Sequence, residues 1–106
     1  MSGQYSVRFD PEAIAALEEA ANYIESDSST ERARTWLRAM LSSIENLESF
    51  PRAFPAESRR GKRSIRSKLV MSHRVFYFVD DGSNIVYIVD VVHTAQDTKL
   101  RQYRKD

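Results

Sequence analysis

The sequence predicts a single α+β domain in which a helical hairpin packs on one face of a small sheet. Three observations indicate this fold: an alternating apolar segment near the start, two amphipathic helical patterns separated by a short polar break, and a second half rich in β-branched and aromatic residues. The 106 residues suit one domain with a thin core. The predicted order is an N-terminal strand, an antiparallel helical hairpin and a three-stranded antiparallel meander.

The N-terminal strand and the first helix follow each other directly. Residues 5–9 alternate apolar and polar side chains, as a half-buried strand does. Asp10 can then cap a helix, and Pro11 suits the first helical position. The predicted apolar stripe comprises Ile14, Leu17, Ala21 and Ile24, with Ala13, Ala16 and Ala20 beside it. These alanines should let a neighbouring element approach closely.

The second helix is predicted from about Glu31 to Glu48. Ser28 and Glu31 stand at capping-box spacing, and Thr30 is a competing cap. The apolar stripe comprises Ala33, Leu37, Met40, Leu41, Ile44 and Leu47. Trp36 lies at the edge of this stripe, where we expect a residue of the core rim rather than a ligand platform. The short break between the helices predicts an antiparallel pair.

The second half contains the strands of the meander. Pro51 and Pro55 end the second helix, and residues 59–63 are predicted to form an exposed basic loop. A strand should follow over residues 65–69, with a turn at 71–73. Residues 74–79 and 85–92 flank a Gly-containing polar break, which is a β-hairpin pattern. The basic tail, residues 99–106, is expected to fray or to dock as a partial helix or strand.

The pattern of the hairpin leaves one question open. Along its first strand, Val75, Tyr77 and Val79 point to one side of the sheet, and three other residues point to the opposite side. These are Arg74, Phe76 and Phe78. Alternation alone does not decide which set faces the helices.

Composition limits the compartment and the chemistry. The chain has no cysteine, which excludes disulfides and thiolate chemistry and suits a reducing cytoplasm. No stretch approaches the roughly 20 apolar residues of a membrane span. The first five residues carry neither a basic start nor an apolar run, so no secretory signal is visible. We therefore expect a cytoplasmic protein without membrane contact.

Charge is unevenly distributed along the chain. Residues 1–50 hold 4 basic and 9 acidic side chains, a net charge of −5, whereas residues 51–106 hold 12 basic and 6 acidic ones, a net charge of +6. The basic half could bind an acidic partner or a phosphate backbone. The alternative is that two ordinary solvated faces differ by chance, but the bunching of the basic residues favours a partner.

The sequence lacks the common catalytic patterns. With only two histidines and no carboxylate–histidine spacing, it predicts neither a metal site nor another cofactor. It also has no Gly-rich phosphate loop and no nucleophile elbow. What remains is a polar set in the later strands: Arg66, Arg74, Tyr77, His93, Gln96 and Asp97.

Two interpretations of this polar set stay open. Arginines on a sheet bind carboxylate or phosphate, and a histidine titrates near neutral pH, so the set could position a 2′-hydroxyl and stabilise a phosphorane during RNA cleavage. Alternatively, Arg74 pairs with Asp90 or Asp97 across the sheet, and His93 only bonds to the backbone.

Short segments over nearly the whole chain follow a familiar order. They are VRFDPEA at 7–13, YI at 23–24, IENLESFP at 44–51, IR at 65–66, HRVFY at 73–77 and VVHTAQD at 91–97. In this order they resemble the RelE/ParE family of bacterial toxins from type II toxin–antitoxin modules. The resemblance implies a compact toxin that a cognate antitoxin, encoded beside it, holds inactive in a hetero-oligomer.

Matching individual positions favours one of the two branches of the family. Arg74 matches the arginine of the family's Tyr-Arg-x-x-Tyr segment, with His73 in place of the first tyrosine and Tyr77 matching the second. The RelE-like branch usually has a second functional arginine where this chain has Ala95, and its catalytic tyrosine would fall near Arg101, with Tyr103 close by. The ribonuclease set is thus incomplete, and the chain is more similar to the ParE-like branch, which inhibits DNA gyrase by binding and without catalysis.

The sequence is therefore compatible with three functions. The first is a ParE-like gyrase inhibitor, and the second is a RelE-like, ribosome-dependent messenger RNA endonuclease using Arg66, Arg74 and His93. The third is a binding module without toxicity. The residues expected to contact the target or the antitoxin are Arg59, Arg60, Lys62, Arg63, Arg66, Arg74, Tyr77, His93, Gln96 and Asp97.

Overall fold

Two helices pack against one face of a five-stranded mixed sheet, which confirms the predicted α+β class. The computed structural model describes residues 4–96, so the tail prediction for 99–106 and Asp97 lie outside the described residues. The elements are β1 (Ser6–Phe9), α1 (Pro11–Asp27), α2 (Thr30–Glu45), a 3-10 turn (Asn46–Glu48), β2 (Ala56–Arg60), β3 (Arg63–Val70), β4 (His73–Asp80) and β5 (Ile85–His93). The strand order is β1-β5-β4-β3-β2.

Strand β2 was not predicted. The segment expected to be an exposed basic loop instead completes β2, turns at Gly61 and begins β3. Arg59 and Arg60 pair with Ser64 and Arg63 across this hairpin. Gly61 has a φ of 62°, in the left-handed region where glycine meets no Cβ clash. The residues of β2 do not alternate between apolar and polar side chains. Its extended conformation therefore comes from pairing with β3. The meander therefore has four strands, and β1 adds in parallel to β5.

The helical hairpin follows the prediction with two local differences. Ser29 caps α2 by accepting a hydrogen bond from the Arg32 amide at 3.0 Å, whereas Ser28 and Thr30 were the expected caps. The Thr30 hydroxyl instead donates to the Glu25 carboxylate at 2.8 Å, which ties the two helices together. The α-helical part of α2 ends at Glu45, and the 3-10 turn continues it to the predicted end.

Helix α1 is rotated relative to the predicted stripe. Ile14 is 47% exposed, while Ala13 is completely buried and Leu17 nearly so. The alanine side of the helix lies against the sheet because small side chains allow closer approach than isoleucine would. The predicted stripe was therefore wrong at Ile14 and correct at Leu17.

The structure decides which residues of β4 face the helices. Val75, Tyr77 and Val79 belong to the helix-side face, whose core also includes Met40 and Ile44. Phe76 and Phe78 lie on the outer face. That face carries the second apolar cluster, formed by Ile65, Phe76, Phe78 and Val92, with Tyr87 and Val89 beside it. A bulge at Phe76 and Tyr77 shifts the pairing with β5.

No helix within residues 4–96 is both long and apolar enough to cross a membrane.

Candidate functional site

The β2–β3 hairpin presents the predicted basic cluster to solvent. Arg59, Arg60, Lys62 and Arg63 are all exposed, within five consecutive residues around the Gly61 turn. The Arg63 guanidinium lies 4.4 Å above the centre of the Phe78 ring, a cation–π distance that fixes the hairpin to the outer face. Four clustered cations suit an acidic segment or a phosphate backbone.

Arg66 is turned towards the helices. Its Nη1 donates a 2.6 Å hydrogen bond to the Phe54 carbonyl, in the connection between α2 and β2. Two residues further, Lys68 donates through Nζ to the Ser43 carbonyl of α2 at 2.7 Å and lies 5.2 Å from the Phe54 ring. Burial lowers the pKa of Lys68. Both cations therefore hold the α2–β2 connection against the sheet.

Arg74 lies on the outer face instead. Its Nη1 donates to Ser67 Oγ at 3.0 Å, and Ser67 Oγ in turn donates to the Glu57 carboxylate. These three side chains connect β4, β3 and β2 in one polar row. Arg74 remains half-exposed, so its guanidinium can still reach a partner.

Tyr77 is a core residue. It has no exposed surface, and its hydroxyl donates a 2.8 Å hydrogen bond to the Pro51 carbonyl. Burial raises the pKa of Tyr77 to about 12, with Arg66 opposing the shift weakly. The phenol thus stays neutral and anchors the segment after α2, which leaves no surface on which Tyr77 could contact a target.

The ribonuclease set proposed from the sequence is not brought together. Arg66 pairs with Tyr77 on the helix-side face, whereas Arg74 lies on the outer face. His93 pairs with His73, which is four residues from Tyr77 along β4, or roughly 14 Å at the rise of a strand. The three side chains cannot reach one phosphate.

His93 belongs to a different cluster at the end of the sheet. Its ring centre lies 4.9 Å from that of His73 in an edge-to-face arrangement, and His73 lies 5.2 Å from Trp36. His93 Nδ1 accepts a 3.0 Å hydrogen bond from the Ala95 amide, and Gln96 Oε1 accepts one of 3.3 Å from the His93 amide. The last described residues are therefore folded around His93.

His73 is buried with an unpartnered nitrogen. Only 8% of the residue is exposed, and its Nδ1 has no hydrogen-bond partner. Burial lowers the pKa of His73, and the neighbouring His93 adds to the effect. The imidazole is therefore neutral at pH 7.

The histidine pair lies in a groove of about 620 Å³ between α1 and the ends of β4 and β5. The groove is lined by Ala16, Glu19, Ala20, Tyr23, Ile24, Trp36, Met71, Ser72, His73, Val91, His93 and Gln96. His93 and Gln96 were predicted from the sequence as site residues, whereas Glu19, Tyr23 and Met71 were not. Tyr23 gave a signal, since it is an aromatic residue outside the apolar stripe. Met71 precedes His73 by two residues, but only the fold brings Glu19 to the histidines.

No group of three or more His, Cys, Asp or Glu side chains able to hold a metal ion occurs within residues 4–96.

The chain matches one known protein family over most of its length. A family model described as the ParE toxin of the type II toxin–antitoxin system parDE matches residues 7–98. A search of curated protein sequences found no match.

Solved structures share the fold. The chain is similar to one from the chromosomal ParDE toxin–antitoxin system of P. aeruginosa, with a TM-score of 0.70 and 12% identity over 85% of this chain and 96% of that chain. It is also similar to one from the RelE–RelB complex of the archaeon Pyrococcus horikoshii OT3, with a TM-score of 0.63 and 16% identity over 88% and 98%. The RelBE2 toxin–antitoxin complex of Mycobacterium tuberculosis gives a TM-score of 0.61 and 24% identity over 85% and 98%.

Proposed function

Because the chain belongs to the ParE toxin family of type II toxin–antitoxin systems, we propose that it inhibits DNA gyrase by binding and is neutralised by a cognate antitoxin. The toxin acts in the cytoplasm and breaks no covalent bond itself. We favour binding over cleavage because Arg66, Arg74 and His93 lie too far apart to act on one phosphate.

Cleavage of RNA requires converging groups. A general base must lie within hydrogen-bond reach of the 2′-hydroxyl, and cationic donors must lie near 3 Å from the phosphorane oxygens. Arg66 and Arg74 point to opposite faces of the sheet, and Arg66 is bonded to the Phe54 carbonyl. Ala95, at the position of a second arginine in RelE-like toxins, offers only a methyl group. These features support a toxin that works by occupying a surface.

The basic hairpin supplies a contact for the macromolecular partner. Arg59, Arg60, Lys62 and Arg63 are exposed at one corner of the molecule. We assign to them a contact with an acidic antitoxin segment or with DNA held by gyrase. Half-exposed Arg74 on the outer face adds a further cation to this side of the sheet.

The proposal is tested with purified toxin, gyrase and plasmid DNA. Supercoiling should fall and cleaved DNA–gyrase complexes should accumulate as toxin is added, and both effects should disappear when antitoxin is present. Unchanged gyrase activity at high toxin excess would contradict the assignment.

A charge-neutralised hairpin tests the contact surface in the same assay. Changing the four hairpin cations to glutamine should weaken inhibition and flatten its salt dependence, because fewer counterions are released on binding. The control removes three exposed cations from α2, by changing Arg32, Arg34 and Arg38 to glutamine, and should leave inhibition unchanged. Equal potency of the two variants would exclude the hairpin from contact with gyrase-held DNA and leave only the antitoxin contact.

Messenger RNA cleavage is the second candidate, since RelE–RelB complexes share the fold. Its signature would be translation-dependent cuts within codons that Arg74→Ala abolishes. We expect no such cuts from the purified toxin on translating ribosomes.

A further inference from the structure

One acidic side chain lies in the groove between α1 and the ends of β4 and β5. Glu19 lines this groove, and no lysine or arginine does so in the described part of the chain. The buried His73 imidazole adds no positive charge to the groove, because burial lowers its pKa. The groove therefore carries negative charge, although the sheet beside it belongs to the basic half of the molecule.

The rest of the groove is suited to the stem of a long cationic side chain. Ala16 and Ala20 leave room along α1, and Trp36 and Tyr23 offer aromatic rings. Tyr23 is 69% exposed, so its ring is open to a partner, and tyrosine is among the residues enriched at binding hot spots. An arginine or lysine side chain would pack its methylene stem on such apolar and aromatic surface and pair its charge with the carboxylate.

The tip of the β3–β4 turn adds an independent observation. Met71 and Ser72 form a two-residue loop, and Met71 has a φ of 55°. Glycine is the residue that normally accepts a left-handed φ in such loops, so a methionine there is strained. The Met71 side chain does not pack in the core, since it is 49% exposed and lies at the rim of the groove. Strain held at an exposed apolar rim indicates a binding role.

We propose that this groove docks a segment of the antitoxin that presents an arginine or lysine side chain to Glu19. The stem of that side chain lies against Trp36 and Tyr23, and an adjacent apolar residue contacts Met71. This inference rests on the proposed function, because it assumes that an antitoxin binds. The toxin then has two contact surfaces of opposite charge: the acidic groove binds a basic segment, and the basic hairpin binds an acidic segment or DNA.

Charge variants of the toxin test the proposal. The product of the adjacent open reading frame is purified and titrated with the wild-type toxin, Glu19→Gln and Glu19→Lys. We expect about tenfold weaker binding for Glu19→Gln, and a larger loss for Glu19→Lys, because a charge pair desolvated on docking loses one partner or becomes repulsive. The control, Glu18→Gln, removes an exposed charge one residue away that does not line the groove, and should bind as the wild type does.

Trp36 reports directly on the groove. It is the only tryptophan of the chain, so its fluorescence should change when the toxin binds an antitoxin that itself lacks tryptophan or carries Trp→Phe changes. The change should occur with wild-type toxin and require about tenfold more antitoxin with Glu19→Gln. A second variant, Met71→Gly, should raise the melting temperature and still weaken binding, which a loss of folding cannot imitate.

A charge swap identifies the partner residue. One arginine or lysine of the antitoxin, changed to glutamate, should restore binding to Glu19→Lys while weakening binding to the wild type. Wild-type affinity for Glu19→Gln, with normal binding by the wild-type toxin, would overturn the groove assignment and leave the toxin function intact. Absence of binding between the wild-type toxin and antitoxin would instead overturn both.

Discussion

Single polar groups in this protein mostly hold connections in place. Three side chains donate hydrogen bonds to backbone carbonyls: Tyr77 to Pro51, Arg66 to Phe54, and Lys68 to Ser43. All three acceptors are backbone groups of α2 or the segment after it. Arg66 and Tyr77, which the sequence analysis assigned to a target surface, therefore close the helix-side core.

The Tyr77 hydrogen bond predicts the effect of removing one hydroxyl. Tyr77→Phe should lower the free energy of unfolding by about 1–2 kcal/mol, since the Pro51 carbonyl loses its donor in the core. Urea unfolding measures this. Tyr23→Phe, at a ring that is 69% exposed, is the control and should change stability very little. Equal effects of the two changes would contradict the core role of the Tyr77 hydroxyl.

His73 predicts a dependence of stability on pH. Burial and the neighbouring His93 lower the pKa of His73 from its ordinary value of 6.5. Below pH 6.5, the unfolded chain therefore takes up a proton that the folded chain does not, and stability falls until the pH reaches the folded pKa. Urea unfolding at pH 7.5 and at pH 5.5 should show a larger loss for the wild type than for His73→Gln. The same loss in both proteins would exclude His73 as the source.

At the scale of elements, those with a strong periodic or turn pattern were predictable. The helices and the β4–β5 hairpin follow their sequence patterns, and Pro11 begins α1 as expected. Strand β2 was missed because Ala-Glu-Ser-Arg-Arg has no strand pattern of its own. Its conformation comes from the hydrogen bonds that β3 supplies, so it depends on a contact that no local window contains.

A side chain of β3 supplies a hydrogen-bond donor to the C-terminal end of α2. Lys68 of β3 donates to the Ser43 carbonyl in the last turn of α2, where a helix runs out of amide donors for its carbonyls. A cation there also complements the negative end of the helix dipole. Lys68→Met keeps the apolar stem and removes the charge, so it should cost about 1 kcal/mol of unfolding free energy.

Hydrogen exchange locates this effect. Amides in the last turn of α2 should exchange faster in Lys68→Met than in the wild type, while α1 remains unchanged. Lys62→Met at the exposed hairpin is the control and should alter neither. Uniform acceleration over both helices would show that the change weakens the whole fold and not the end of α2.

At the scale of the whole molecule, the register of β3 and β4 decides the candidate site. Because Val70 pairs with His73 across a two-residue turn, Arg66 falls opposite Tyr77, and Arg74 opposite Leu69. Arg66 and Arg74 must then lie on opposite faces. The turn was predicted from the sequence over residues 71–73, whereas the loop is residues 71–72. A shift of one residue in the register moves every side chain of a strand to the opposite face, so the separation of the two arginines was not foreseen.

The groove could not have been predicted in the same way. Glu19, Trp36, Met71 and His93 come from four different segments and meet only when α1 lies across the ends of β4 and β5. Even the orientation of α1 depends on packing, as the exposure of Ile14 shows. Resemblance to the toxin family gave the class of molecule, and only the assembled fold separates the acidic groove from the basic hairpin.

The central claim is that this toxin acts by binding gyrase and not by cutting RNA. The most direct measurement titrates the purified toxin, Arg74→Ala and the antitoxin-bound toxin into a supercoiling assay, with a translation-coupled RNA cleavage assay run on the same samples. We predict that the free toxin blocks supercoiling and traps cleaved DNA on gyrase, that the complex does neither, and that no RNA is cut. Gyrase left fully active, together with codon-internal RNA cuts that Arg74→Ala abolishes, would contradict the account.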